Sequence, residues 1–218
     1  MEHRSVPGFF IAFDGIDGCG KSTQLDRAAQ RLAAEGRTVV TTREPGGTAI
    51  AETIRALILS PEYIEMVPEC ELLLYAAARA QHVREKILPA LAAGAIVLCD
   101  RFDLATYAYQ GFGRSISLPL LKTINEAATG GLAPRLTFLF DISVDAAFGR
   151  LAAMKKVRDR LESDDREFFS RVSEGYRVLA KQAGDRVVIL DAERPVEELA
   201  GAVHGKIVAL LGQAMPAA

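Results

Sequence analysis

Five short apolar segments recur along the chain, and in none of them do apolar and polar positions alternate. They are Phe9–Phe13, Arg37–Thr41, Ala95–Cys99, Leu136–Phe140 and Arg186–Leu190. A continuous run of four or five apolar or β-branched residues is typical of a strand that is covered on both faces. The pattern therefore predicts five buried strands of a parallel sheet.

The segments between these strands show helical periodicity in their apolar positions. They predict helices at Lys21–Glu35, Glu69–Ala92, Leu104–Ala128, Glu162–Ala183 and Pro195–Leu211. Strands that alternate with helices form right-handed βαβ units, so we expect a doubly wound α/β fold. In such a fold, ligands bind at the carboxyl ends of the strands. We see no internal repeat or linker and expect residues 1–218 to form a single domain.

The segment GIDGCGKS, from Gly15 to Ser22, follows the first strand and opens the first helix. It matches G-x-x-x-x-G-K-[ST], in which glycines let backbone N–H groups surround phosphate oxygens at a helix N-terminus. In this pattern Lys21 reaches the β- and γ-phosphates, and the Ser22 hydroxyl is a ligand of Mg²⁺. The loop predicts nucleotide binding, but GTPases, motor ATPases, kinases and nucleotide-gated regulators all contain it.

Further candidate groups are expected at the same edge of the sheet. TREPGGT (residues 42–48) follows the second strand, and Asp100-Arg101 follows the third, where a carboxylate can hold Mg²⁺ through water. Tyr75 and Arg79 lie four residues apart and share a helix face, which suits a stacked base beside a bound phosphate. The alternatives are a strand-end turn at Asp100-Arg101 and a core-covering helix whose arginine extends to solvent.

These segments resemble the signature segments of thymidylate (dTMP) kinases, and they occur in the same order. The resemblance extends from about Phe9 to Leu199 and rests on FDGIDGCGKSTQ, TREPGGT, LLLYAAARAQ, DRFDLATYAYQG and DRLE. It implies a phosphate-loop nucleoside-monophosphate kinase: a five-stranded parallel sheet with helices on both faces and a small lid at about residues 149–161. It also implies a homodimer that transfers the γ-phosphoryl group of ATP to dTMP with Mg²⁺, giving dTDP for dTTP synthesis.

The resemblance further implies roles for individual residues. Asp17 would accept a hydrogen bond from the 3′-hydroxyl of dTMP, Tyr75 would stack on thymine, and Tyr109 would lie under the sugar. Glu44-Pro45 would form the turn, often with a cis proline, that closes the substrate pocket. The remaining dTMP contacts are Arg79 and Arg101 at the base edge and 5′-phosphate, and Thr106 and Gln110 near the base. The candidate ATP contacts are Gly15, Ile16, Asp17, Gly18, Cys19, Gly20, Lys21, Ser22 and Thr23, with backbone contacts to adenine from Asp191 and Ala192.

Three positions depart from the residues that are usual in this family. Asp14 stands in place of Glu, and Ala105 replaces a common serine, which removes one possible hydrogen bond to the substrate. Cys19 takes a position that Ser or Ala usually holds, near Lys21 and a helix N-terminus, conditions that lower a thiol pKa. One hypothesis is that oxidation or alkylation of Cys19 blocks ATP binding. The alternative is a small side chain packed against the loop.

Phosphoryl transfer needs in-line positioning and positive charge on the migrating group. Some thymidylate kinases carry an arginine inside the phosphate loop, but residues 16–19 contain none. The basic segment from Arg150 to Arg160 resembles the bacterial lid that supplies it, with Arg158 favoured over Arg150; its alternative is a solvated helical face. Arg160 is expected to pair with nearby acids. The candidate catalytic residues are Lys21, Arg101, Arg150 and Arg158.

The composition limits the partners that the protein can have. The 26 basic and 28 acidic residues give a net charge of −2, so we expect neither a nucleic acid nor a membrane as a partner. The longest apolar stretch, Ile87–Cys99, is too short to cross a bilayer. Three cysteines favour a reducing compartment, and we expect a cytoplasmic protein. His3, His82 and His204 lie outside every motif and are expected to have surface or helix-packing roles.

Two other functions remain open at this point. A kinase of the same build could phosphorylate another monophosphate, such as dUMP, UMP or dCMP, although Tyr109 favours a deoxyribose and Tyr75 a planar base. A regulatory module could bind a nucleotide and hydrolyse it slowly or not at all. The Arg79/Arg101 pair argues against that module, because a switch protein needs no second phosphate site.

Overall fold

A five-stranded parallel sheet forms the centre of the computed structural model, which describes residues 8–153, 160 and 165–214. Its order is β2-β3-β1-β4-β5, and each neighbouring pair is parallel. The strands are β1 (Phe9–Asp14), β2 (Val39–Arg43), β3 (Ile96–Asp100), β4 (Leu136–Asp141) and β5 (Val187–Asp191). This confirms the predicted sheet and places β1, which leads into the phosphate loop, at its middle.

Helices follow each strand. They are α1 (Lys21–Ala34), α2 (Ala49–Leu59), α3 (Pro68–His82), α4 (Leu88–Ala92), α5 (Asp103–Thr106), α6 (Leu118–Thr129), α7 (Val144–Ala153), α8 (Arg166–Ala183) and α9 (Val196–Ala214). A π-helical turn at Val83–Ile87 joins α3 to α4, and a second one, Tyr107–Gly113, extends α5. A 3₁₀ turn at Gly184–Arg186 leads into β5.

Alternate side chains of β1 belong to two separate apolar cores. Ile11 and Phe13 pack in the larger core, with residues of α1, α8 and α9. Phe10 and Ala12 pack in the smaller one, with residues of the α3–α4 segment such as Ile87. Because successive side chains of a strand point to opposite faces, the two cores lie on the two sides of the sheet. Both faces are therefore covered, which explains why the strands lack polar alternation.

The second strand begins two residues later than the predicted Arg37–Thr41. The Arg37 N–H donates to the carbonyl of Leu32 (3.0 Å), so this residue completes the end of α1. At its other end, β2 continues to Arg43, which pairs opposite Asp100. This extension carries the TREPGGT segment to the edge of the sheet where ligands bind.

Two predicted helices are interrupted. The predicted Leu104–Ala128 helix divides into α5, the π turn and α6, with a bend at Ser115, whose φ is 61°. The predicted Glu69–Ala92 helix contains the π turn Val83–Ile87. That turn ends just before Pro89, which has no N–H for a regular helical hydrogen bond.

The apolar pattern misses α2 and α7, although each has a hydroxyl cap. The Thr48 and Ser143 hydroxyls each accept a backbone N–H three residues on, at 3.3 Å. Caps of this kind are a start signal in sequence. The predicted lid, residues 149–161, begins on the last turns of α7, but most of it lies outside the described residues. Among the described helices, none is both long and apolar enough to cross a membrane.

Candidate active site

The phosphate loop connects β1 to α1, and α1 begins at Lys21 as predicted. The residue before it, Gly20, has a φ of 89°, which favours glycine, and has no side chain to cap the helix. The N–H groups of the first turn therefore remain available for an anion. The Lys21 ammonium lies 3.4 Å from Asp17 Oδ1. Burial and Arg101 lower the pKa of Lys21, but nearby carboxylates outweigh them and raise it, so Lys21 stays charged.

Ser22 and Asp100 meet beside this loop, at the carboxyl end of β3. The Ser22 hydroxyl donates to Asp100 Oδ2 at 2.5 Å. No group of three or more His, Cys, Asp or Glu side chains within the described residues could hold a metal ion. Mg²⁺ needs no such cluster, because it is commonly bound by one or two protein oxygens together with substrate phosphates. A hydroxyl and a carboxylate, both hard oxygen donors, fit that requirement.

A second cleft opens next to the phosphate loop. The predicted substrate residues line it together: Asp17, Glu44, Pro45, Tyr75, Arg79, Arg101, Thr106, Tyr109 and Gln110. Four residues complete the lining: Arg55, Leu59, Phe102 and Ala105. The Glu44–Pro45 peptide bond is cis, as the resemblance implies. We call this cavity the acceptor cleft.

Arg79 is fixed on the wall of the acceptor cleft and is only 2% exposed. Its Nε donates to Glu44 Oε2 (2.7 Å), and its Nη1 donates to Thr106 Oγ1 (2.9 Å) and Asn125 Oδ1 (2.6 Å). Its Nη2 donates to the carbonyl of Phe102 (3.1 Å). The alternative of an arginine that extends to solvent is therefore wrong. The guanidinium is held in one orientation before any ligand arrives.

Arg101 connects the acceptor cleft to the phosphate loop. Its Nη2 donates to Asp17 Oδ1 (2.7 Å) and to the Tyr109 hydroxyl (3.1 Å), and its Nη1 donates to the Gly15 carbonyl (2.9 Å). Burial raises the pKa of Asp17, but the charges of Arg101 and Lys21 outweigh it and hold this pKa well below its ordinary range. Asp17 is therefore ionised and can only accept hydrogen bonds.

Asp14 ends β1 beneath this connection and is fully buried. Its Oδ1 accepts a hydrogen bond from the Tyr176 hydroxyl (3.0 Å), which in turn accepts one from Arg101 Nη1 (3.2 Å). Its Oδ2 has no hydrogen-bond partner among the described residues. Burial raises the pKa of Asp14 to about 7, although Arg101 and Tyr176 act in the opposite direction.

On the other side of the phosphate loop, Arg150 projects from α7. Its Nη2 donates to the carbonyl of Ala192 (2.9 Å) and its Nη1 to that of Gly18 (3.4 Å). The Ala192 N–H donates to the backbone carbonyl of Asp141 (2.8 Å), so both backbone groups of Ala192 have partners within the protein. Asp191 Oδ1 accepts the N–H of Glu193 (3.0 Å). Arg158 lies outside the described residues.

Glu71 contacts the acceptor cleft through Gln110, although the motifs do not single it out. It lies one helical turn before Tyr75 on α3 and accepts hydrogen bonds from Gln110 Nε2 (2.9 Å) and Arg160 Nη2 (2.5 Å). Arg160 does pair with an acid, but that acid is 89 positions away in the sequence. The four-residue spacing from Glu71 through Tyr75 to Arg79 is the signal that could have identified it.

A family model described as "Thymidylate kinase" matches residues 13–203. The chain is 49% identical over 201 residues to the thymidylate kinase of Geobacter sulfurreducens, covering 90% of this chain and 94% of that one. It is 45% identical over 211 residues to that of Geotalea uraniireducens, covering 94% and 99%. The chain belongs to the thymidylate kinase family. It is an enzyme that uses ATP to phosphorylate dTMP to dTDP.

The structure distinguishes between the two interpretations of Cys19, a reactive thiol and a small side chain packed against the loop. Its side chain is buried, and a Cβ at Gly15 would lie 2.9 Å from its sulfur. Burial raises the pKa of the Cys19 thiol and outweighs the charge of Lys21, which lowers it. The expectation of a lowered thiol pKa is wrong, because the same loop that supplies positive charge also excludes water. The geometry favours the alternative, a small side chain packed against the loop.

Proposed function

We propose that the enzyme transfers the γ-phosphoryl group of ATP directly and in line to the 5′-phosphate of dTMP. The contact between Asp17 and Arg101 (2.7 Å) supports this most directly. Asp17 belongs to the phosphate loop and also lines the acceptor cleft, so the two nucleotides would meet at this pair. In-line transfer requires that donor and acceptor phosphates be held close together.

In the acceptor cleft, each predicted residue has a proposed role. Asp17 accepts a hydrogen bond from the 3′-hydroxyl of dTMP, Arg101 binds the 5′-phosphate, and Tyr109 lies under the sugar. Tyr75 stacks on thymine, and Glu44-Pro45 closes the cleft. The base edge is contacted by Arg79, Thr106 and Gln110. The buried, prearranged hydrogen bonds of Arg79 support this assignment, since they leave it little freedom to adapt to a different ligand.

On the donor side, the loop from Gly15 to Thr23 surrounds the phosphates of ATP, and the backbone at Asp191 and Ala192 lies against adenine. The Lys21 ammonium places its positive charge beside the β- and γ-phosphates. Ser22 and Asp100 would hold Mg²⁺, which neutralises charge on the phosphate oxygens. Arg158 or Arg150 supplies the remaining positive charge to the migrating group, from a lid at about residues 149–161.

We also infer that residues 1–218 form one kinase domain and that the enzyme acts in the cytoplasm as a homodimer. Large apolar side chains are exposed on α3 and on the two helices that pack against it: Leu73 on α3, Leu57 on α2 and Leu120 on α6. Exposed apolar groups on adjoining helices support a protein interface. Light scattering after gel filtration should give about twice the 23.5 kDa chain mass, and a monomer mass would contradict the dimer.

Release of ADP tests the assignment of the acceptor cleft. The enzyme is given ATP and Mg²⁺ with dTMP, dUMP, UMP, dCMP, dGMP or AMP, each over a range of concentrations. We expect dTMP to be the best acceptor and UMP to be poor, because Tyr109, in its proposed place under the sugar, would leave no room for a 2′-hydroxyl. Equal use of UMP and dUMP would contradict the role of Tyr109. A preference for a different base would overturn the roles of Tyr75 and Arg79.

A further inference from the structure

A chain of buried hydrogen bonds runs behind the acceptor cleft. His82, fully buried at the end of α3, does not line the cleft. Its Nδ1 lies 2.9 Å from Glu44 Oε1, and its Nε2 lies 2.7 Å from Thr42 Oγ1. The second oxygen of Glu44 accepts the hydrogen bond from Arg79 Nε at 2.7 Å. The four side chains are therefore connected in series, and each is at most 9% exposed.

The chemistry of the partners fixes the direction of these hydrogen bonds. An ionised carboxylate can only accept hydrogen bonds, so the Nδ1 of His82 must carry a hydrogen and donate a hydrogen bond to Glu44. In the neutral ring, Nε2 then accepts a hydrogen bond from the Thr42 hydroxyl. The opposite neutral tautomer would place two acceptors against each other at 2.9 Å. The observed arrangement holds the Glu44 carboxylate from both sides, between His82 and Arg79.

The backbone of the TREPGGT turn packs on the same chain of hydrogen bonds. Gly47 has a φ of 86°, and a Cβ there would lie 2.6 Å from Thr42 Oγ1 and 2.7 Å from His82 Nε2. A side chain at this position is thus excluded both by sterics and by the backbone conformation. His82 consequently touches the turn twice, through the Glu44 side chain and beside the Gly47 backbone.

We propose that His82 is a positioning residue for the acceptor nucleotide, which acts through Glu44 to set the orientation of Arg79. Glu44 supplies the ionic partner of Arg79, whereas Thr106, Asn125 and the Phe102 carbonyl are neutral acceptors. If the carboxylate rotates, the acceptor for Arg79 Nε moves and the guanidinium turns with it. This inference rests on the proposed contact between Arg79 and the base.

Two substitutions, each introducing a side-chain amide, distinguish the roles of the two ring nitrogens of His82. In His82→Asn, the side-chain amide reaches the position of Nδ1 and can still donate to Glu44. In His82→Gln, the amide reaches the position of Nε2, contacts Thr42 and leaves Glu44 Oε1 without its donor. A lost hydrogen bond to a buried charged group corresponds to about 10-fold or more in an equilibrium constant. Both variants lose the ring, so the Asn variant controls for lost volume.

We expect His82→Gln to raise the KM for dTMP about 10-fold, with the KM for ATP within about twofold of the wild type. His82→Asn should raise the KM for dTMP by about threefold or less. Equal KM values for dTMP in the two variants would overturn the proposal. A parallel rise in the KM of both substrates would also overturn it, because general loosening of the fold does not select one nucleotide.

A second pair keeps the test valid if His82→Gln does not fold. Thr42→Val removes the hydroxyl with little change in volume, and Thr42→Ser keeps it. We expect Thr42→Val to raise the KM for dTMP relative to Thr42→Ser, and equal values would contradict the proposal. Arg79→Lys tests the underlying role separately. An unchanged KM for dTMP in Arg79→Lys would reject the base contact itself, whereas a raised one with no effect at His82 would reject only the positioning role.

Discussion

The acceptor cleft and the donor side of the phosphate loop hold their arginines in different ways. Arg79 is buried and satisfied by four acceptors, one of them the carboxylate of Glu44. Arg150 makes its described hydrogen bonds to two backbone carbonyls, of Ala192 and Gly18. The acceptor side is thus built in advance by side chains, while the donor side offers backbone groups and charges that a ligand can rearrange.

The difference agrees with the proposed role of each side in binding its nucleotide. A base and a sugar are distinguished by fixed donors and acceptors in a dry pocket, which penalise a wrong partner by leaving polar groups unpaired. A triphosphate is recognised mainly by charge and by backbone N–H groups at a helix N-terminus. Buried charges such as Arg79 must keep their partners, because an unpaired buried charge is strongly destabilising.

Lysine substitutions of the two arginines should break this comparison most clearly. Arg79→Lys keeps the charge but cannot reach Glu44, Thr106, Asn125 and the Phe102 carbonyl together. We expect a loss of about 2–3 kcal/mol in the free energy of unfolding, because the ammonium has too few donors and leaves at least one buried acceptor unpaired. Arg150→Lys should cost less than about 1 kcal/mol. The partners of Arg150 are neutral carbonyls that are only part-buried, so no buried charge loses its partner. Urea unfolding of both variants measures this, and equal losses would remove the contrast.

Substitutions of the arginines on the donor side should instead lower kcat. Arg158→Ala is expected to lower kcat by about 10²-fold with little change in the KM for ATP, as loss of charge stabilisation in the transition state should. Arg150→Ala is the matched comparison. Steady-state kinetics at saturating dTMP measure both. If kcat is unchanged in Arg158→Ala and falls in Arg150→Ala, the role moves to Arg150.

The resemblance to thymidylate kinases supplied several residues of the acceptor cleft, such as Tyr109 and Gln110. Local pattern was sufficient for the sheet, for the phosphate loop and for the helix face that Tyr75 and Arg79 share. Each of those features is written in a short run of sequence, such as the strand before Gly15 or the spacing of Tyr75 and Arg79. The partners behind the cleft could not be predicted in this way. Asn125 is 46 positions from its partner Arg79, and Tyr176 is 162 positions from its partner Asp14. Only the packing of the folded chain brings each pair together.

His82 shows the same limit. Its sequence position outside the motifs indicates a helix-packing role, and it is indeed buried at the end of α3. Its partners, however, are Glu44 in the turn after β2 and Thr42 near the end of that strand, 38 and 40 positions away. The end of β2 itself is placed two residues too early by the apolar pattern. Pairing with β3 sets that boundary, and pairing is not a property of one segment.

We expect the smallest effect at Asp14, the buried carboxyl beneath Arg101, where one titrating group is tested by itself. Because its pKa is raised to about 7 from the ordinary 3.8, the folded protein binds a proton there that the unfolded chain has released. Stability must then fall as the pH rises from about 4 to 7, since the native state binds more protons over that interval. We expect wild type to lose about 1 kcal/mol per pH unit more than Asp14→Asn between pH 5 and 7.

Urea unfolding of wild type and Asp14→Asn at pH 5, 6 and 7 measures this difference. Other groups titrate in both proteins, so their contributions cancel when one curve is subtracted from the other. Asp185→Asn, which changes an exposed carboxylate near β5, is the control and should run parallel to wild type. If Asp14→Asn also runs parallel to wild type, Asp14 is ionised in the folded state at pH 5. The positive charge of Arg101 would then govern this carboxyl more strongly than its burial does.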